Sequence, residues 1–279
     1  MKVMFYFNDA SGDVGQIHRL LSVCEYLLKS ITDSSVLVIS GSPLLPSFHI
    51  SPALDYIKLP SLNPLQPNRL ERLRSGSEPD TMVKFRSDII LAVAHNFKPD
   101  ILLVDEKPYG LGDELKQTIA YLRCNSVQTK FVLLLQDIID HPSTIIPAWE
   151  AQGYYGAIGN EYDQVLVMGM QEVFNVSYQY HFSAAIKDKV HFCGYVRYPA
   201  EYQQIQSVRE ELAMPPHQRL VVVAPDSGTD GYGVIATYLQ GLAMVPDGEM
   251  LQTLIVLGAD MPEAKRNTLF EAASLLDRW

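Results

Sequence analysis

Chemistry-bearing side chains in this chain of 279 residues gather at the ends of apolar runs. Asn8, Asp9, Gly12, Gly15, Gln16 and His18 follow the run Val3-Met4-Phe5-Tyr6-Phe7 and lead into a helix-period pattern. Glycines let a backbone turn tightly, and the free N–H groups of a helix start can face an anion or a polar substrate. Asn8 and Asp9 can hydrogen-bond a ligand or cap their own loop. Asp105 closes the run Ile101-Leu102-Leu103-Val104, and Asp137 follows the run ending at Leu135, with Gln136 between. In open α/β sheets the carboxyl ends of strands are where ligands sit. Asp140-His141 has the makeup of a carboxylate–imidazole pair, or of a turn whose polar side chains bond the backbone. Ser227, Gly228, Asp230 and Gly231 form a second small-residue turn, of a type that can cradle a phosphate. Tyr154, Tyr155, Tyr178, Tyr180, Tyr195 and Tyr198 offer either a stacking surface or core packing.

The elements that must position these residues alternate regularly. A strand over 3–7 and a glycine loop precede a helix whose Ile17, Leu20, Leu21, Cys24, Leu27 and Leu28 share one face. Gln16 and His18, two residues apart, lie ~200° from one another round that helix, so His18 is expected to point away from a ligand at Gln16. Strands follow at 35–41 and 55–60, then a polar segment over 61–81 without sustained period, read as a mobile loop or lid. A helix over 82–97 ends at Lys98-Pro99-Asp100, and a strand over 101–105 follows. Further helices are expected at 113–124, 144–158 and 173–180, with strands at 130–135, 164–169 and 190–196. Strands alternating with helices over this length predict a parallel sheet covered on both faces. A second glycine-bearing strand–loop–helix begins at 219, and the expected domains are 1–197 and 198–279. Two strands and two helices fall short of a normal doubly wound core, which predicts an incomplete second domain.

Composition narrows the function classes. With 47% hydrophobic and 19% charged residues the chain reads as a soluble globular protein. A net charge of −10 argues against a nucleic-acid-binding surface or an anionic-membrane anchor. No apolar run reaches the ~20 residues of a membrane span, and the start lacks a signal-peptide layout, so a cytoplasmic location is expected. Cys24, Cys124 and Cys193 are isolated and lack metal-ligand spacing. They read as three reduced, buried thiols, with neither a metal nor a cofactor expected.

Taken in order, several stretches resemble a known family, the predicted bacterial glycosyltransferases of the GT-B superfamily. These are related to the N-acetylglucosaminyltransferase of peptidoglycan lipid-intermediate synthesis and share its glycosyltransferase family 28 C-terminal domain. The matching stretches include Phe5-Tyr6-Phe7-Asn8-Asp9, Gly15-Gln16-Ile17-His18-Arg19, Ser40-Gly41-Ser42-Pro43 and Tyr56-Ile57-Lys58-Leu59-Pro60. Further ones are Pro108-Tyr109-Gly110-Leu111, Gln136-Asp137-Ile138-Ile139-Asp140, Phe192-Cys193-Gly194-Tyr195-Val196 and Asp230-Gly231. The resemblance implies two Rossmann-like α/β domains: an acceptor-side N-terminal domain and a nucleotide-sugar-side C-terminal one, the latter partial here. It implies acceptor binding by Asn8, Asp9, Gly12, Gly15, Gln16, His18, Asp105 and Asp137, and donor-phosphate binding by Ser227, Gly228, Asp230 and Gly231. Asp9, Gln16 and Asp137 are the catalytic candidates, and no bound metal is required.

Three departures shape the functional expectation. The family's loop reads Gly-x-Gly-His, whereas this one is a residue longer and carries Gln16 at the histidine position. Gln136 stands where the family often has arginine. The family's later nucleotide-gripping loop has no counterpart before Trp279. Two readings follow. Either the chain transfers a sugar from a nucleotide-diphosphate donor to an acceptor, with a second polypeptide supplying the remainder, or it is a non-catalytic relative that binds an acceptor or partner. The open sheet edge of the second domain also predicts self-association.

Overall fold

The structure, a computed structural model, describes residues 1–7, 14–48, 50–60, 62, 79–196, 209–215, 218–225, 228–245, 251–258 and 261–276. Two compact units divide the chain, Met1–Pro199 and Ala200–Trp279.

Alternation along the first strand sets the layering of the first unit. β1 (Lys2–Phe7) sends Met4 and Tyr6 into one core and Val3, Phe5 and Phe7 into another, one on each face of the sheet. α1 (Val14–Ser30) follows, then β2 (Ser35–Ser40), β3 (Leu54–Lys58) and α2 (Pro79–Phe97). Next come β4 (Ile101–Asp105), α3 (Lys116–Asn125), β5 (Lys130–Gln136), α4 (Pro142–Ala151), α5 (Tyr154–Glu161) and β6 (Gln164–Met168). Two single-turn helices, α6 (Val176–Gln179) and α7 (Ala184–Lys187), lead to β7 (Val190–Phe192). All seven strands pair in parallel in the order β3-β2-β1-β4-β5-β6-β7. The order reverses between β1 and β4, which is the topological switch point of a doubly wound sheet. Ile17, Leu20, Leu21 and Cys24 of α1 pack on one face, and α2 through α7 supply the other. β4 and β5 are apolar on both sides because both faces are covered.

A buried ionic lock ties this second layer to the strand ends. Arg86 of α2, fully buried, donates from Nε and Nη2 to the two oxygens of Glu114, at 2.6 and 2.7 Å, and from Nη1 to the Pro60 carbonyl. Tyr6 of β1 donates its phenol to the same carboxylate at 2.5 Å. Burial, then the Glu114 charge, hold that phenol well above its ordinary range, so it stays a donor.

Several boundaries differ from the sequence expectation for local reasons. The single helix expected over 144–158 is two helices, because Gly153 adopts φ +66° and ends the first. The helix expected from 113 begins at Lys116, since Gly110, Gly112 and Asp113 all have positive φ and form a tight turn instead. The last strand stops at Phe192, and Gly194 at φ +73° turns the chain away. Only Cys24 is a buried thiol; Cys124 and Cys193 are exposed. Cys124 lies off the buried stripe of Thr118, Ile119 and Leu122, and Cys193 lies just beyond the edge strand β7. Of the expected loop over 61–81, residues 61 and 63–78 lie outside the described residues.

The second unit comprises β8 (Arg219–Val223), α8 (Gly228–Ala243), β9 (Leu251–Ile255) and α9 (Glu263–Ser274). β8 and β9 pair in parallel across the α8 connection. Ile235, Leu239, Met261, Leu269 and Ala273 form its core. Tyr238 and Thr253 share a hydrogen bond of 2.7 Å between α8 and β9.

Candidate functional site

A cavity of about 260 Å³ opens at the carboxyl edge of the first unit's sheet. One wall is a single stripe of α1: Gly15, His18, Arg19 and Ser22 recur at the three-, four- and seven-residue spacing that places side chains on one helix face. The other wall is built by strand ends. Gln136 closes β5 and Asp137 follows it, Met168 closes β6, and Tyr195 and Val196 follow β7.

His18, Arg19, Ser22 and Asp137 are each held by a neighbour. Arg19 lies 3.5 Å from the buried carboxylate of Asp105, which anchors the guanidinium over the strand ends. Asp105 is placed by the turn after β4, where Lys107 donates to the Asp105 carbonyl and Glu106 adopts φ +60°. His18 meets the ring edge of Phe48 with centroids 5.0 Å apart, and Ser22 donates its hydroxyl to the His18 carbonyl. Asp137 accepts from the Ile138 N–H at Oδ1 and from the Tyr195 phenol at Oδ2, each at 2.8 Å. Gly169 passes so close that a Cβ there would sit 2.4 Å from Asp137 Cβ. That hydrogen bond to Asp137 is the first cause of a Tyr195 phenol raised above its ordinary range, with slight burial adding to it.

The structure brings some of the expected residues together and separates others. Gly15, His18 and Asp137 line one cavity, with Asp105 directly behind Arg19. Gln16 is half-buried and is not among the described lining residues. His18, expected to point away from the Gln16 side of the helix, lines this cavity. The helix stripe that meets the strand ends begins at Gly15, and Gln16 falls off it. Asn8, Asp9, Gly12, Ser227 and Tyr198 lie outside the described residues. Gly228 and Asp230 open α8, and Gly231 is buried with an imaginary Cβ 2.6 Å from Pro225. The small-residue turn thus passes into helix at Gly228. Asp140 and His141 are no carboxylate–imidazole pair. The Asp140 carboxylate accepts the His141 backbone N–H, and the His141 ring accepts the Ser143 N–H as the cap of α4. Tyr154 and Tyr180 are core, with Tyr154 pushed up to about 12 chiefly by burial, whereas Tyr178 and Tyr195 are exposed.

Arg19, Ser22 and Met168 escaped the sequence reading. The seven-residue spacing from Gly15 to Ser22 was the signal for the first two; Met168 carries none, being one more apolar residue in a strand.

Chemically, the cavity offers an imidazole, a guanidinium able to face an anionic oxygen, a carboxylate and a carboxamide. Among the described residues, no three His, Cys, Asp or Glu side chains converge as a metal site. No described helix is long and apolar enough to cross a membrane.

No family model and no curated protein matches the sequence. The fold does match solved structures. UDP-GlcNAc 2-epimerase from Neisseria meningitidis, bound to UDP-GlcNAc, aligns with a TM-score of 0.55 at 14% identity, over 100% of this chain and 70% of that one. The MnaA–UDP structure from S. aureus gives 0.56 at 12% identity, over 99% and 67%. A UGT transferase from Siraitia grosvenorii in complex with UDP gives 0.51 at 12% identity, over 95% and 66%. The chain spans about two thirds of the length of these solved chains. Its fold is α/β and GT-B-like, with a Rossmann-like parallel sheet in the first unit and a smaller Rossmann-like βαβα arrangement in the second.

Proposed function

We propose that this protein acts in glycosyl transfer, taking a nucleotide-diphosphate sugar as donor and a hydroxyl-bearing acceptor in the first unit's cavity. The observation that carries the reading is the convergence of His18, Arg19, Gln136 and Asp137 on one cavity at the carboxyl edge of the sheet. Solved proteins of this fold hold UDP or a UDP-sugar, and this chain is proposed to take the same ligand class. A carboxylate and an imidazole suit an acceptor hydroxyl, whose proton must leave as the glycosidic bond forms. His18, which lines the cavity, is the side chain we propose to receive it, in place of Gln16. Residues 198–279 are assigned to the nucleotide-sugar side, with the start of α8 around Gly228 and Asp230 facing the diphosphate. The narrower kinship with the peptidoglycan N-acetylglucosaminyltransferase, and a cytoplasmic location, belong to the same proposal.

The second reading, binding without turnover, is favoured by one feature. Asp137 and Arg19 are already engaged by Tyr195 and Asp105. Calorimetric titration with UDP, UDP-GlcNAc and UDP-glucose tests the donor class. Micromolar binding is expected, and no heat at millimolar ligand ends the proposal. Release of UDP from a bound sugar nucleotide, followed by chromatography, separates turnover from binding.

A further inference from the structure

Asp137 is fixed from two sides and lines the cavity. Its Oδ1 accepts from the Ile138 N–H, and the Gly169 backbone closes the space beside its Cβ. The partner at Oδ2 is held far less firmly. Tyr195 is 57% exposed, so its ring gains little from packing. The preceding residue, Gly194, has φ +73° and open space within 4 Å of where a Cβ would stand. The bend at Gly194 is open on its side-chain face, while the Gly194 N–H donates to the Gly169 carbonyl at 3.1 Å and anchors the segment's root. A rigid acceptor group therefore meets a hydroxyl donor on a short arm with a glycine at its base.

We propose that Tyr195 is a displaceable stand-in for a ligand, its phenol filling on Asp137 Oδ2 the place that a ligand hydroxyl takes when the cavity is occupied. Displacement exchanges one O–H donor for another, so the carboxylate is never left bare. Only a ligand that carries a hydroxyl donor opens the arm, which makes Tyr195 a specificity residue rather than a contact. A ligand of the same size with an ether or carbonyl at that position cannot replace the phenol and is rejected. This rests on the hydroxyl-binding role given to the cavity above.

Calorimetry with N-acetylglucosamine, a hydroxyl-bearing probe of the first unit's cavity, on wild type, Tyr195→Phe and Asp137→Asn tests it, alongside the ¹³Cζ resonance of Tyr195 in tyrosine-labelled protein. Removing the phenol removes the competitor, so Tyr195→Phe is expected to bind about three- to tenfold more tightly, the larger value corresponding to an arm closed about nine-tenths of the time. Asp137→Asn is expected to bind more weakly than wild type. In wild type, saturating ligand is expected to move the Tyr195 resonance to that of a solvent-exposed tyrosine. Equal or weaker binding by Tyr195→Phe, with wild type still binding, overturns this inference alone. Binding by none of the three proteins overturns it together with the acceptor role given to the cavity, while the UDP titrations test the donor reading on their own.

Discussion

Residues separated by two positions on one helix meet opposite fates, and that decides the chemistry of the cavity wall. His18 belongs to the stripe that begins at Gly15 and faces the strand ends; Gln16 does not. His18→Gln removes the imidazole proposed as base and is expected to weaken UDP-sugar turnover by about a hundredfold, within the usual range for a general base. Gln16→Ala is expected to stay within about twofold, as for a side chain outside the site. Product release measured on both variants checks the pair; a larger loss for Gln16→Ala would return the site to the position that the family pattern assigns. Much of the site's place was legible because Asp105 and Asp137 each end an apolar run, and strand ends in a parallel sheet share an edge. The side-chain partners were not legible. Nothing in the local sequence says that Asp105 holds Arg19 or that Tyr195 reaches Asp137, because each pair is joined only by sheet order and by the turns at Glu106 and Gly194.

At the scale of elements, the strands and helices followed from apolar period, while breaks followed from backbone conformation. Gly153 sits inside an apolar pattern that reads as one helix, and only its left-handed φ divides the pattern in two. The lock of Arg86, Glu114 and Tyr6 is another feature that period cannot show, since it joins α2, the turn before α3 and β1. Glu114→Gln leaves the Arg86 guanidinium buried beside a neutral amide and is expected to cost about 3–5 kcal/mol in urea unfolding. Arg86→Met combined with Glu114→Gln is expected to cost less than the two single changes added together, since the second change removes the charge that the first strands. Cys24 gives a pH signature for α1. Burial, then the neighbouring Glu25 charge, push its thiol from 9.0 to about 12. The unfolded chain releases this proton first, so the folded state loses stability as pH rises above about 9, reaching about 1.4 kcal/mol lost at pH 10. Below pH 8 the effect vanishes. Cys24→Ala is expected to flatten the fall in urea midpoint between pH 8 and 10; an unchanged slope would place its origin in the tyrosines.

The two units differ in how their sheets are covered, and this governs the behaviour of the whole molecule. In the first unit both sheet faces carry a core. In the second, Val223, Ile255 and Leu257 pack against the core that α8 and α9 share, while the alternate residues point away from it. Val222 and Leu254, register partners on adjacent strands, are 54% and 40% exposed, and Val256 beyond them is also exposed. Paired valine and leucine side chains on a parallel sheet, with open strand edges among the described residues, form the kind of surface that seeks cover. A net charge of −10 opposes association at low salt and is screened at higher ionic strength. The protein is therefore expected to self-associate with rising concentration, more strongly at 0.5 M than at 0.05 M NaCl, where the Debye length falls from about 14 to about 4 Å. Replacing Val222 and Leu254 with lysine places charges on the face itself and should leave a monomer across that range. Light scattering at both salts reads the outcome. A wild type that stays monomeric at every concentration would mean that the exposed face is too small to hold two copies together. Association that persists in the lysine variant would place the contact on another surface.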